Sequence, residues 1–388
     1  MPTRRTKRGE LRTDLSGSYD VLICGASFAG LALARELAGA TRVDGSPARV
    51  LMLDRYEIGE RQTSACGIPT GWLEVLDLMG SHRQTFDELV VTTPYGTARW
   101  PLPWTFSTFD YPELCALLFA QSDCEFETAK VDGRTGDTVH TDRGDLCAPL
   151  IVDALGWRRV LARKAGAFQP PDAPLSRGLE VHPAGSGDDL AIWIDREIVP
   201  AGYGWSFPAG EELRIGVGSF DPRFHVKDNT VKLAEDLGSE AVRYQGNWIP
   251  HKLRPAVEDG VFFAGDSAGH CLPLTAEGIR TALYFGIACG RELRQVVTGR
   301  ATRDQALQRY GAFSASHEWK YRWILRAQQT VPRIWPRVLH GVVGTMRRRR
   351  LVDWSFDHYL RIAPPEFAGP APAPRAQRGA GAVRRAVA

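Results

Sequence analysis

Apolar residues along the chain fall into two kinds of run. Short ones, Tyr19 to Gly25 (interrupted only by Asp20), Val50 to Leu53 and Val261 to Ala264, have the length and flanking turns of strands buried on both faces. Phe28 to Gly39 instead places apolar residues at helical spacing and ends on a glycine. Between residues 179 and 220 the segments LEVHPA, LAIWIDREIVP and LRIGVGSF alternate apolar and polar positions, the period of a half-covered sheet. From Asp304 the pattern turns helical. Alternating strand and helix patterns predict an α/β architecture. At 388 residues the chain exceeds what one core comfortably serves, so two closely joined domains are expected.

The first strand runs straight into a turn. Gly25, Ser27 and Gly30 stand where a dinucleotide fingerprint has three glycines. Gly25 permits the tight turn, Ser27 is small enough for a pyrophosphate to approach the backbone, and Gly30 lets the helix lie close to the strand. With Phe28 and Ala29 these residues open a helix whose N-terminal N–H groups suit phosphates. The second strand ends at Asp54, followed by Arg55, and an acid at that tip is expected to hold a ribose hydroxyl pair.

A late element narrows the choice of dinucleotide. Val261 to Ala264 is followed by Gly265-Asp266 and, after Pro273, by a helix expected from about Ala276. An NAD enzyme has no need of this second element, whereas a flavin must be held again far from its adenosine end. A helix N-terminus near Ala276, Glu277, Gly278 and Ile279 would stabilise negative charge on a reduced flavin.

Glycine fingerprint, acidic tip and late Gly-Asp together resemble the para-hydroxybenzoate-hydroxylase type of FAD-dependent oxidoreductase. The resemblance implies that Asp266 binds a ribityl hydroxyl. Pro200 to Gly210 (PAGYGWSFPAG) is similar to the Pro-x-x-Tyr-x-Trp-x-Phe-Pro signature of the geranylgeranyl reductase family. Pro273 to Ile279 (PLTAEGI) matches that family's Pro-Leu-Thr-Gly-Glu-Gly-Ile except that Ala276 replaces a glycine. Ser64 to Gly67 (SACG) lies where the family carries Cys-Gly. There are departures: Leu155 stands where the middle flavin motif has an aspartate, although Asp153 and Gly156 remain, and the helix FDYPELCALL lacks its usual arginine.

The organisation expected is a Rossmann-like FAD-binding domain (18–174 and 259–300) interleaved with a substrate-binding β-sheet domain (175–258). Helices follow over 301–362, between disordered basic tails at 1–17 and 363–388. Tyr203, Trp205 and Phe207 alternate along one strand and share a face. They read either as an inter-domain core stripe or as the wall of an apolar substrate pocket. Tyr203, Trp205 and Cys66 are the candidate catalytic residues, with His270 and Cys271 as further proton donors.

The activity implied is reduction of carbon–carbon double bonds in an isoprenoid-like substrate by hydride transfer from reduced FAD. The alternative is a monooxygenase or halogenase acting through a flavin peroxide. A second glycine fingerprint is missing, so NAD(P)H is expected at most as a transient electron donor.

Charge adds little to this picture. The net is +3, and the two basic ends leave the body at −4, with no motif for nucleic acid. Seven scattered cysteines without Cys-x-x-Cys suit neither a metal site nor a disulfide framework, and fit a reducing cytoplasm. No run reaches the roughly 18–20 apolar residues of a membrane span. Arg347, Arg348, Arg349 and Arg350 follow an apolar stretch in a Trp-rich region, a pattern that can dock on an anionic membrane surface.

Overall fold

The computed structural model describes residues 13–62, 64–163, 170 and 172–370. A six-stranded sheet forms the first body, in the order Val257–Glu258, Val261–Phe263, Leu150–Asp153, Val21–Cys24, Val50–Asp54, Glu125–Thr128. All neighbours run parallel except the first pair. Val21 to Cys24 and Leu51 to Leu53 are fully buried, as strands covered on both faces must be. The helix Phe28–Leu37 packs along the long helix Ile279–Val297. The approach is close because Gly286 and Gly290 face it: a Cβ there would lie 2.5 Å from the Ala29 carbonyl oxygen and 2.7 Å from that of Leu33.

An eight-stranded sheet forms the second body, in the order Gln245–Pro250, Leu175–Val181, Leu213–Ser219, Gly202–Pro208, Leu190–Trp193, His82–Thr93, Gly96–Phe109, Gly67–Pro69. The chain therefore crosses to this sheet twice. Its strands between residues 67 and 109 fall in the stretch expected to belong to the FAD-binding unit. Pro101 and Pro103 lie inside the strand Gly96–Phe109, and proline ordinarily argues against a paired strand. The structure accommodates them with a register shift between Phe86 and Glu88 on the partner strand.

Two boundaries at the ends move outward, toward the termini. Leu15 donates to the Arg143 carbonyl and Gly17–Ser18 pairs with Gly144–Cys147, so order begins before residue 18. At the other end, residues 363–370 pack on the core rather than forming part of a tail. Ala363 and Ala368 are fully buried, and Arg35, Arg280 and Arg291 donate to carbonyls of Gly369, Ala363, Phe367 and Ala368. Three cations seeking buried acceptors thus fix a segment whose composition alone looks unstructured. The expected tails over 1–12 and 371–388 lie outside the described residues.

Helices Arg303–Ala315, Glu318–Thr330, Pro336–Thr345 and Arg349–Leu360 complete the fold, as the helical pattern predicts. Among the described residues no helix is long and apolar enough to cross a membrane, and no cluster of His, Cys, Asp or Glu is arranged to hold a metal ion.

Candidate functional site

The first turn is built by Gly25, whose φ of +116° disfavours any side chain. A Cβ there would lie 2.2 Å from the Ala154 oxygen, and one at Gly30 would lie 1.9 Å from the Gly25 oxygen. Strand, turn and helix are thus in direct backbone contact. Asp54 is tied to the same turn: its carboxylate accepts from the backbone N–H of Ala26 (2.9 Å) and of Tyr56 (3.0 Å). Burial raises its pKa against those two bonds. A carboxylate with two donors keeps lone pairs for further hydroxyls. Arg55 stacks on Tyr56.

Ser27 caps the helix without using its hydroxyl on the backbone; the Tyr111 hydroxyl donates to it at 3.2 Å. Phe28 packs edge-on against Phe109 and Tyr111. No arginine opens the helix Tyr111–Phe119; Tyr111 itself faces the turn instead.

The second loop rests on the first helix. A Cβ at Gly265 would lie 3.1 Å from that of Ala29. Asp266 follows, and burial pushes its pKa up to about 6, opposed by the Arg254 guanidinium. No hydrogen bond from the described residues reaches its carboxylate, which faces Gly278: a Cβ at that glycine would be 3.8 Å from Asp266 Oδ1. The long helix starts at Ile279, three residues later than the pattern predicts. Leu274 (φ +64°) and Ala276 (φ +52°) both turn left-handed, so the chain loops once more before Gly278. The family pattern has glycine where Ala276 stands, and the backbone here explains why.

Glu277 has a different side-chain role from its neighbours. It pairs with the fully buried Arg280 at 2.5 Å and accepts from the Tyr359 hydroxyl. Arg280 also donates to the carbonyls of Tyr359, Leu360 and Ala363. The loop after Pro273 is thereby clamped to the end of the helix Arg349–Leu360, a link with no signal in the sequence.

The middle motif is intact as a turn despite Leu155. Asp153, fully buried, accepts from the N–H of Leu155 and Leu161 and from Ser267 Oγ (2.6 Å). Arg159 reaches the Ser267 carbonyl and Glu258, and lies 3.5 Å over the Phe263 ring. The Gly-Asp loop is therefore fastened from behind by Asp153 of the middle motif and by Arg159, which carries no motif signal in the sequence.

Tyr203, Trp205 and Phe207 share one face of the strand Gly202–Pro208. The Tyr203 hydroxyl donates to the Thr275 carbonyl at 2.6 Å, bringing this strand to the helix-start loop. Trp205 lies over a glycine floor: Cβ atoms at Gly216, Gly218 and Gly178 would come within 2.2, 3.3 and 3.8 Å of its ring. Phe207 meets Phe106 edge-on, and Phe106 in turn covers Gly67.

Cys66 is fully buried immediately before Gly67, in a left-handed conformation (φ +53°). Burial pushes its thiol well above the usual range, so it stands there as a neutral thiol. Arg214 donates to the carbonyls of Ala65 and Cys66. Of the further proton-donor candidates, Cys271 Sγ would meet a Cβ at Gly278 at 3.2 Å and so borders the loop. His270 stacks on Phe285 at 3.7 Å and meets Ser314, deep in the helical core, where burial keeps it neutral.

A backbone turn with no room for side chains, an acid tied to it and a second acid at the start of the long helix suit an elongated dinucleotide. The aromatic wall beside that helix start suits an apolar partner.

No family model matches the chain. It is 25% identical over 335 residues to digeranylgeranylglycerophospholipid reductase 3 of Methanosphaera stadtmanae, covering 77% of this chain and 83% of the relative. Among solved structures, a geranylgeranyl bacteriochlorophyll reductase-like protein from Thermoplasma acidophilum superposes with a TM-score of 0.77 at 18% identity, covering 91% of this chain and 98% of that one. PqsL from Pseudomonas aeruginosa, a probable FAD-dependent monooxygenase, gives 0.62 at 17% identity, over 88% of this chain and all of PqsL. The fold is thus common to reductase-like and monooxygenase proteins, and the sequence is similar to a reductase over most of its length.

Proposed function

We propose that this chain, a geranylgeranyl-reductase-like FAD-dependent oxidoreductase, reduces carbon–carbon double bonds of an isoprenoid chain lodged against Trp205. The observation that carries this reading is the aromatic wall Tyr203, Trp205 and Phe207, joined to the loop at the start of the long helix by the bond from Tyr203 to Thr275. An extended apolar chain needs such a wall, with few polar groups to satisfy.

Gly25, Ser27, Phe28, Ala29 and Gly30 would cradle the pyrophosphate. Asp54 would hold the adenosine ribose, with Arg55 beside it, and Asp266 the ribityl chain. The backbone around Ala276 to Ile279 would face the ring. When bound, FAD in its reduced form supplies the hydride that double-bond reduction requires. The chain's part is to bind, orient and exclude water. Asp266 would accept hydrogen bonds from the hydroxyls, the helix start would donate its N–H groups, and Trp205 with Phe207 would keep the alkene dry. Cys66, the neutral thiol beside the large sheet, would give its proton to the second carbon, and the thiolate left would regain one from solvent when the product leaves.

The substrate would reach the site from a membrane surface. Arg347 to Arg350 are exposed, as are Trp335 and Trp354. Anionic lipid is the complementary surface for such a set. Neutralising the four arginines should lower binding to vesicles containing phosphatidylserine, with no change on neutral vesicles.

The test of the activity is anaerobic incubation of the reduced holoprotein with a geranylgeranylated lipid, followed by mass spectrometry. Uptake of one H2 per reduced double bond is expected. An unchanged lipid, while the same protein oxygenates or halogenates an aromatic compound in air, would overturn the reading.

A further inference from the structure

Four buried or half-buried charged residues lie beside the aromatic wall, and of these only Arg214 has been met above, at the Cys66 backbone. Glu180 and His182 project from the end of the strand Leu175–Val181, and Glu212 and Arg214 from the start of Leu213–Ser219. Trp205 Nε1 donates to Glu180 Oε2 at 3.3 Å. Glu180 Oε1 meets His182 Nε2 at 2.9 Å, and His182 Nδ1 meets Glu212 Oε1 at 3.2 Å. Glu212 Oε1 accepts from Arg214 Nε at 3.1 Å, while its other oxygen takes Arg243 at 2.9 Å. Arg214 Nη1 then donates to the carbonyls of Ala65 (2.8 Å) and Cys66 (3.3 Å). The series is unbroken from the Trp205 indole to the Cys66 backbone.

The imidazole is its centre. With a carboxylate at hydrogen-bond distance from each ring nitrogen, both sides favour the doubly protonated imidazole, which can donate to each, and these bonds outweigh burial to raise its pKa. The charges then alternate: Glu180 negative, His182 positive, Glu212 negative, Arg214 positive. Glu180, His182 and Arg214 are each no more than 3% exposed. Buried charges in this arrangement are worth little to stability beyond an apolar replacement, and their best-attested use is to specify one geometry. Two features at the ends need such specification. Trp205 lies on a floor of glycines, which offers no side chains to fix its ring. Cys66 holds a left-handed backbone that a non-glycine residue adopts only under constraint.

We infer that Glu180, His182, Glu212 and Arg214 act as one positioning ladder that sets the Trp205 ring and the Cys66 loop relative to each other. The inference concerns the same two walls as the proposed function but does not depend on which substrate they hold.

The test reads each end while the other is changed, with no substrate present. Glu180→Gln keeps an acceptor for the indole but removes the charge facing His182. The rate at which iodoacetamide labels Cys66, followed on its own peptide by mass spectrometry in the FAD-loaded protein, should rise about fivefold or more, the lower range of coupling between linked sites. Arg214→Lys alters the Cys66 end. The emission of Trp205, taken as the difference between this variant and the same variant carrying Trp205→Phe, should shift. If each variant disturbs only its own end, the ladder is not a unit and the inference fails. It fails equally if both variants lose FAD and cooperative unfolding, because the residues would then serve the stability of the sheet. Loss of lipid reduction alone would bear on the proposed function and leave this inference standing.

Discussion

The Tyr203 hydroxyl donates to the carbonyl of Thr275 at 2.6 Å, so the large sheet and the helix-start loop meet through one direct bond. Thr275 Oγ1 also lies 2.7 Å from the Tyr359 hydroxyl, which donates to Glu277. Sheet, loop and C-terminal helix thus converge within four residues of the start of the helix Ile279–Val297. An aromatic wall carried on one body is held against a cofactor-type loop carried on the other.

Trp205→Ala opens that wall without touching the first turn or Asp266. The variant should retain FAD, measured as bound flavin absorbance per chain, while the rate of double-bond reduction falls at least about tenfold, the effect of losing roughly 1.4 kcal/mol of transition-state contact. Loss of the flavin instead would make Trp205 a packing residue between the bodies.

Asp266→Ala removes a carboxylate that has no hydrogen bond from the described residues. It should cost flavin affinity strongly, because a charged acceptor is worth about 1.5–3 kcal/mol. Fluorescence titration of the apoprotein with FAD measures this. An unchanged affinity would remove Asp266 from the site.

Ala276→Gly should leave stability unchanged or raise it by up to about 1 kcal/mol, unlike most loop substitutions. The left-handed backbone costs an alanine about 1–2 kcal/mol, part of which glycine returns as chain entropy. Denaturant midpoints compare the two, and a clear loss would mean that the Ala276 side chain makes a contact worth more than the strain.

The pH profile of stability should carry the mark of His182. Burial opposes its charge, but the bonds to Glu180 and Glu212 outweigh burial and raise its pKa. A raised cation stabilises the fold fully below its unfolded value, about 6.5, and that contribution is lost as pH rises through the folded value. Glu212 works in the opposite sense: its pKa is lowered to about 2 by His182 and Arg214 against burial, so its contribution is lost only as pH falls through the unfolded value toward 2. The loss of stability between pH 6 and pH 9 should therefore be smaller in His182→Gln than in the native chain, by urea unfolding at both pH values.

Much of this arrangement is legible in the sequence, and the exceptions share a cause. Val21 to Cys24, Val50 to Asp54 and Val261 to Phe263 are continuous apolar runs because parallel strands are buried on both faces, so their pattern is plain. Glycines that admit no Cβ, such as Gly25 and Gly30, show directly where backbones meet. The strands over 82–109 are obscured by Pro101 and Pro103, whose bulge only the partner strand reveals. The start of the long helix is displaced because left-handed φ at Leu274 and Ala276 leaves no compositional trace once alanine replaces glycine. Charged partners of high sequence separation, Arg280 with the carbonyls near 360 or Glu180 with Trp205, are invisible to any local pattern. Glu180 and His182 stand at the polar positions of an alternating segment, where the pattern reads as a solvent-facing side, so neither their burial nor their partners left a signal.

The central claim is that the wall at Trp205 presents an apolar alkene to the reduced cofactor. The direct measurement is stopped-flow reoxidation of the reduced holoprotein, mixed without oxygen with a geranylgeranylated lipid, for the native chain and Trp205→Ala. Rapid return of the oxidised flavin spectrum in the native chain, slowed in the variant, is the result predicted. A spectrum that stays reduced with the lipid, yet reoxidises in air with modification of an aromatic acceptor, would contradict the claim and assign the fold here to oxygen chemistry.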